Sequence, residues 1–312
     1  MNSPRFSFII PLYNKRQSIA NTLQSVLSQT YSRFEIVVVD DGSTDDGAEI
    51  VRQFKDERIR LIQKGNGGVC SARNLGIRES KGEFVALLDA DDTLASDYLE
   101  EQVKMIDDFP QAAMWGVNFA EVFAGKLIHE LPTGLKQGFR GIVGNYFEMP
   151  GRASDLFCSS SVVIRKSAFE TAGYFDERIK YSEDIDMWYR IILNFPVVFY
   201  DKYLVFYNYD AENRAMNKLR PLKYFLPYYV DKYEKYKGNK AFYHFIHRWS
   251  AVIIKDYYFN KESQRDDAKV ASKRLDYSVL PKKYNFLFKT PFCIGKLIYF
   301  ATENLLKIKN RK

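Results

Sequence analysis

Three groups of carboxylates and one glycine-rich stretch are the residues whose types and spacing can do chemistry. Asp89-Ala90-Asp91-Asp92 puts three acids within four positions. Acids this close repel one another unless a hard divalent cation, bridging to phosphate oxygens, offsets the charge. The alternative is a solvated acidic turn in which Asp92 or Thr93 caps the next helix. Asp40 and Asp41 open a run through Gly42, Ser43 and Thr44 to Asp45. These are turn formers and helix caps that can also turn a carboxylate toward a nucleobase. The stretch from Lys64 to Gly76 allows close backbone approach at Gly67 and Gly68 and brings Arg73 and Asn74 onto the first turn of a helix. There Arg73 reaches a phosphate or a carboxylate, and the helix start favours an anion. Glu183 and Asp184 follow Ser182, a candidate N-cap, at the start of another helix. They either complement the helix dipole, worth about 0.3–1 kcal/mol, or supply Asp184 as a base for a substrate hydroxyl. Trp188, one turn after Asp184, is either core or a platform for a sugar ring.

The elements that must carry these residues alternate between strand and helix. Phe6 to Ile10 is an apolar run stopped by Pro11, after which Ile19, Leu23, Val26 and Leu27 recur at helical spacing. Glu35–Val39, Arg58–Gln63 and Phe84–Leu88 read as further strands, and the segments around Ala48–Phe54 and Ala72–Ser80 as helices. Ser159–Ile164 reads as another strand, Gly173–Asp176 as a turn and Tyr181–Ile192 as a helix. Near-continuous apolar strands separated by helices predict an α/β fold with a mostly parallel sheet covered on both faces. Ligands of such sheets sit beyond the carboxyl ends of the strands. Here those ends carry Tyr13, Asp41 and the aspartates after Leu88.

The chain has 312 residues, 46% hydrophobic and 27% charged, which excludes a mainly disordered or fibrous protein and predicts a large domain with a smaller appendage. Its net charge of +7 hides a division. Residues 1–210 hold 23 Lys and Arg against 30 Asp and Glu, a net of −7, whereas residues 211–312 hold 23 against 9, a net of +14. The first part is expected to be the ligand-binding domain. The second is expected to be a mainly helical extension whose aromatics, from Tyr224 to Phe259, either form one face packed on the main domain with the charges in water or dock with the lysines on anionic lipid. No recognisable module supports nucleic-acid binding. The three cysteines, Cys70, Cys158 and Cys293, have no paired spacing, which speaks for a reducing compartment and against a zinc site. No leader and no run of about 20 apolar residues is evident. The expected location is therefore cytoplasmic, with any membrane contact peripheral, on the cytoplasmic face of an inner membrane.

Five segments taken in order, Phe8–Asn14, Val38–Asp45, Gly68–Gly76, Asp89–Asp92 and Glu183–Trp188, resemble family 2 glycosyltransferases of the GT-A fold over about residues 5–208. The resemblance implies an inverting, metal-dependent glycosyltransferase. It would move a sugar from a nucleotide-sugar, most simply a UDP-sugar, to a glycan or lipid-linked glycan hydroxyl in polysaccharide or lipopolysaccharide synthesis. It implies that Pro11, Tyr13, Asp41, Asn66 and Arg73 hold the nucleotide, with Asp41 facing the base, and that Asp89 lies near the ribose. Asp91, helped by Asp92, would bind Mn²⁺ or Mg²⁺, and Asp184 would be the general base with Glu183 beside it. One departure is the absence of a His in Tyr207–Asp210, so that Arg214 or Lys218 is expected to serve the diphosphate instead. His129, His244 and His247 match no family site, and the last two are expected to be packing residues. A dinucleotide fingerprint fails because Cys70 takes the third glycine position. A sugar-phosphate nucleotidyltransferase would carry its glycines after the first strand, where this chain has Pro11-Leu12-Tyr13-Asn14. A carbohydrate- or lipid-binding scaffold without catalysis is the non-enzymatic alternative.

Overall fold

The structure is a computed structural model and describes residues 3–124, 126–128, 134–149, 156–213, 220–297 and 299. The chain divides into two compact units, Met1–Lys218 and Leu219–Lys312; the charge division had placed the join near residue 210. In the first unit, β1 (Phe6–Leu12), α1 (Ile19–Leu27), β2 (Phe34–Asp40), α2 (Gly47–Gln53), β3 (Ile59–Gln63), α3 (Val69–Glu79) and β4 (Phe84–Leu87) alternate as the hydrophobic pattern requires. Strand β1 lies between β2 and β4, parallel to both, and β3 adds in parallel to the outer edge of β2. The second half is built from β5 (Thr93–Leu94), α4 (Tyr98–Asp108), β6 (Met114–Phe123), β7 (Lys126–Ile128), β8 (Arg140–Ile142), β9 (Val162–Arg165), α5 (Ala168–Ala172), α6 (Glu183–Ile192) and β10 (Val197–Asn208). Here β9 runs antiparallel between β4 and β6, β6 pairs in parallel with β10, and the sheet order is β3-β2-β1-β4-β9-β6-β10-β5.

All seven residues of β2, and six of the seven in β1, are buried. Alternate residues serve opposite faces. Phe8, Ile10, Ile36 and Val38 share a cluster with Leu23 and Val26 of α1 and Leu99 and Met105 of α4. On the other face α3 approaches so closely that a Cβ on Gly76 would lie 2.5 Å from Ile9 Cγ2 and 3.3 Å from Val39 Cγ2. That contact seats α3, with Arg73 and Asn74, directly behind the ends of β1 and β2.

Several local expectations shift. Helix α3 begins at Val69, not Ala72, so Arg73 lies beyond the first turn. Ser159–Ser161 is a 3₁₀ turn, and the strand starts only at Val162. Ser182 does stand at the N-cap of α6, but in the left-handed region (φ 60°) and without a side-chain cap bond. Asp92 and Thr93 cap no helix, since α4 begins after Asp97.

The second unit contains α7 (Lys240–Asn260), α8 (Arg265–Ser272) and α9 (Lys282–Lys289), preceded by 3₁₀ segments at Leu222–Tyr224 and Leu226–Tyr236. Its aromatics form a core of their own, with Tyr233, Phe242, Tyr243, Tyr258 and Phe259 buried. Many of the interleaved cations lie over rings, Arg274 at 4.4 Å from Tyr228 and Lys235 at 4.8 Å from Tyr236. His247 is buried and its Nδ1 accepts the Asp276 N–H at 3.1 Å, whereas His244 is exposed. Burial lowers the His247 pKa, as a packing role requires. His129, Arg214 and Lys218 lie outside the described residues. Among the described residues no helix is long and apolar enough to cross a membrane.

Candidate active site

The loops after β1, β2 and β3 meet at the carboxyl edge of the sheet. Asn14 has a left-handed backbone (φ 53°). Its N–H donates to Ser43 Oγ at 3.1 Å, and its Oδ1 accepts the Thr44 N–H at 2.8 Å. Asp40 ties the same turn inward, accepting the Ser43 N–H at 2.9 Å and Gln63 Nε2 at 3.0 Å. Gly42 has φ +75°, and a Cβ there would lie 2.9 Å from the Asn66 nitrogen, so only glycine allows the β2 and β3 loops to close on each other. Asp41 is 3% exposed and binds the glycine-rich loop. Its Oδ1 accepts Lys64 Nζ at 2.6 Å and the Gly67 N–H at 2.9 Å, and its Oδ2 the Gly68 N–H at 2.7 Å. Both oxygens of Asp41, the acid expected to face a base, thus shape the loop, Oδ1 with two donors and Oδ2 with one. Pro11 is half-buried at the strand end, while Tyr13 and Asn66 are exposed beside this loop.

After β4 the three aspartates part company. Asp92 is 1% exposed. Its Oδ2 accepts Ser160 Oγ–H at 2.5 Å and its Oδ1 the Asn208 N–H at 3.1 Å. Burial above all, then the charges of Asp91 and Asp89, hold its pKa well above the carboxylate range. Asp92 therefore ties the turn to the 3₁₀ segment before β9 and to β10, which corrects its assignment as a metal ligand. Ser160 completes the tie by accepting the Asp89 N–H at 3.1 Å. Nothing in the run of three serines signalled this role, because it exists only once β4 and β9 pair. Asp91 remains partly open, with its Oδ2 taking Lys15 Nζ at 2.6 Å.

Arg73 joins this side of the site to the other. Its Nη2 donates to Asp89 Oδ1 at 2.7 Å and its Nη1 to Glu183 Oε1 at 2.9 Å, from a side chain 3% exposed. The guanidinium also lies 5.4 Å from the Phe175 ring centroid. Arg73 was expected on the nucleotide; it is instead a buried brace between two carboxylates, and its pKa is raised by them. Asn74 beside it accepts the Phe175 N–H at 2.9 Å and donates to Phe175 O at 3.0 Å, fixing the loop that leads into α6. Glu183 and Asp184 then open α6, with Asp184 Oδ1 accepting the Ile185 N–H at 2.8 Å. Asp184 makes no ion pair among the described residues. Burial raises both carboxyls, and burial together with the neighbouring Asp184 charge pushes Glu183 up to about 7 against the pull of Arg73. Trp188 is 1% exposed. It faces the core and is no platform for a sugar, because the face of α6 that bears it packs against the body of the unit.

Among the described residues no group of three or more His, Cys, Asp or Glu is arranged as a metal ligand set. What remains suits a hard cation that keeps most of its shell for water and phosphate: Asp91 and, at its open edge, Asp89, which is 30% exposed. These are oxygen donors alone, and Asp92 is not among them.

Residues 7–171 match glycosyl transferase family 2. A glycosyltransferase of Rickettsia conorii is 33% identical over 196 residues, covering 61% of this chain but 30% of that one. One from Rickettsia typhi is 29% identical over 235 residues, covering 70% and 69%. Glycosyltransferase GlyA of Streptococcus pneumoniae is 39% identical over 107 residues, 34% of this chain and 15% of its own. The chain thus spans under a third of the R. conorii relative. Residues 1–349 of S. aureus TarS in complex with UDP-GlcNAc superpose with a TM-score of 0.62 at 20% identity, covering 92% of this chain and 76% of that one. The TarS complex with UDP gives 0.59 over the same shares. The sheet order, the five segments at its carboxyl edge and a family match covering more than half of the 312 residues agree: this chain has the GT-A fold and belongs to glycosyl transferase family 2.

Proposed function

We propose that the chain transfers a sugar from a nucleotide-sugar, a UDP-sugar in the simplest case, to a hydroxyl group with inversion at the anomeric carbon. The observation that carries the reading is the Arg73 brace between Asp89 and Glu183. It fixes the donor-side acids after β4 against the acids that open α6. UDP and UDP-GlcNAc bound to the TarS neighbours support the donor class. Pro11, Tyr13 and Asn66 line the approach to the nucleotide; Asp89 lies on the ribose side. Asp184 accepts the proton of the acceptor hydroxyl as that oxygen bonds to the anomeric carbon. The bond from that carbon to the diphosphate breaks on the opposite face, and its electron pair leaves with the nucleotide. A divalent cation held by Asp91, with Asp89 beside it, would neutralise charge on the departing diphosphate. Donor-release assays with UDP-, GDP-, CDP- and dTDP-sugars, with and without Mn²⁺, test the reading. No release from any donor would favour the binding-scaffold alternative.

The acid pair sets the pH dependence. Asp184 must be ionised to act, and it stands next to Glu183, which is pushed up to about 7 with the Asp184 charge as one cause, so the two titrations are linked. Burial raises the Asp184 pKa as well, so transfer should fall on the acid side of the profile as Asp184 takes up its proton. In Glu183→Gln the carboxyl that titrates at about 7 is removed, so any part of the kcat profile that follows its charge should disappear while the acid limb set by Asp184 stays. A limb that moves with the substitution would show that the two carboxyls share their protons.

The acceptor we place on a glycan carried near an anionic lipid surface. On α9 the exposed residues Lys282, Lys283, Phe286 and Lys289 lie opposite the buried Tyr284 and Leu287, and no acid occurs from Tyr277 to Thr302. An exposed phenylalanine ringed by lysines suits an interface with negative headgroups. Co-sedimentation with phosphatidylglycerol vesicles that survives Phe286→Ser together with Lys282→Glu would defeat this placement.

A further inference from the structure

Lys15 has no part in the motif reading, yet its ammonium sits on Asp91, the acid proposed above to hold the donor's cation. It stands in the loop after β1, two residues beyond Tyr13, with its side chain 12% exposed. Nζ donates to Asp91 Oδ2 at 2.6 Å and also to the carbonyl oxygen of Glu212. Glu212 is itself pinned, its carboxylate accepting Ser18 Oγ–H at 2.6 Å and the Gln17 N–H at 2.9 Å. These two donors flank the start of α1, where Ser18 makes no side-chain cap bond of its own. One ammonium thus holds together the β1 loop, the aspartate turn and the segment after β10.

We propose that Lys15 is an exchangeable cation of the donor site: it neutralises Asp91 while the site is free of donor and moves to the diphosphate when a divalent cation takes Asp91. The inference rests on the nucleotide-sugar reading above. Its physical basis is charge balance in a confined space. Asp91 lies close to Asp89 and Asp92 with its side chain only 16% exposed, and its charge is held there by the Lys15 ammonium at 2.6 Å. A divalent ion drawn to Asp91 repels the Lys15 ammonium seated 2.6 Å from Oδ2 and competes with it for that carboxylate. The arriving ion therefore releases an ammonium on a four-carbon stem beside the anion that came with it. Lysine suits this exchange because its compact charge pivots on a flexible chain, where the arginine fork would stay in place.

The test compares wild type, Lys15→Met and Lys15→Arg by calorimetry with UDP in Mn²⁺, by calorimetry with UMP in Mn²⁺, and by thermal shift with Mn²⁺ alone. Losing a charge-assisted bond to the diphosphate should weaken UDP binding in Lys15→Met by about 10- to 100-fold, with a smaller loss for UMP. With its competitor removed, Mn²⁺ alone should raise the melting temperature more in Lys15→Met than in wild type. Lys15→Arg should keep part of the UDP affinity. A Lys15→Met protein that is merely less stable, with unchanged UDP affinity and an unchanged Mn²⁺ shift, overturns the proposal and leaves Lys15 a structural tie. If wild type itself binds no nucleoside diphosphate in Mn²⁺, the nucleotide-sugar reading fails instead.

Discussion

Asp184→Asn should bind the donor as wild type does and transfer almost nothing, with kcat lowered by about 10²–10⁴-fold, the range for loss of a general base. The substitution keeps the volume and the oxygen that accepts the Ile185 N–H at 2.8 Å. Asp184 makes no ion pair among the described residues, so no buried partner is stranded. Its loss also relieves Glu183, whose pKa that charge helps to raise; the fold should be unharmed or slightly stabilised near neutrality. Donor affinity by calorimetry and single-turnover transfer separate the two effects. Equal loss of donor binding and transfer would place Asp184 in the donor site, and normal turnover would remove it from the chemistry.

The parts of this picture visible in the sequence are those set by short-range pattern. The strands β1 to β4 and the helices between them follow from apolar runs and helical spacing, and the acids at strand ends follow from those boundaries. What the sequence did not show is which acid does what, because that depends on partners far along the chain. Asp92 and Asp91 are adjacent and chemically identical. One is taken by Ser160 and the Asn208 backbone and the other by Lys15, residues brought there by strand pairing. Trp188 shows the same limit: helical spacing places it one turn from Asp184, but only the packing of α6 decides that its ring faces inward. Strand β10, 12 residues long and central to the second half of the sheet, is hard to see in the sequence because its buried and half-buried residues do not alternate.

Arg73→Met should be the most damaging single change to the fold of the site. Methionine fills much of the volume but leaves Asp89 and Glu183 without their common cation. Breaking a buried pair from one side costs about 3–5 kcal/mol, which in a unit of this size lowers the melting temperature by roughly 6–20 °C. The loss should depend on pH in a definite direction. Arg73 pulls the Glu183 pKa down against burial, so without it Glu183 lies still further above its unfolded value. A carboxyl raised in the folded state lends stability at low pH and loses it as pH rises. Arg73→Met should accordingly be nearer to wild type at pH 6 than at pH 8. Arg73→Lys is a sharper probe. It keeps the charge, but a single ammonium lacks the fork whose two nitrogens reach Asp89 at 2.7 Å and Glu183 at 2.9 Å. If the brace matters as a bridge, lysine should recover part of the stability and little of the transfer rate, because α6 and Asp184 would no longer be set against the donor-side acids. If lysine restores both, charge alone is what the site needs from position 73.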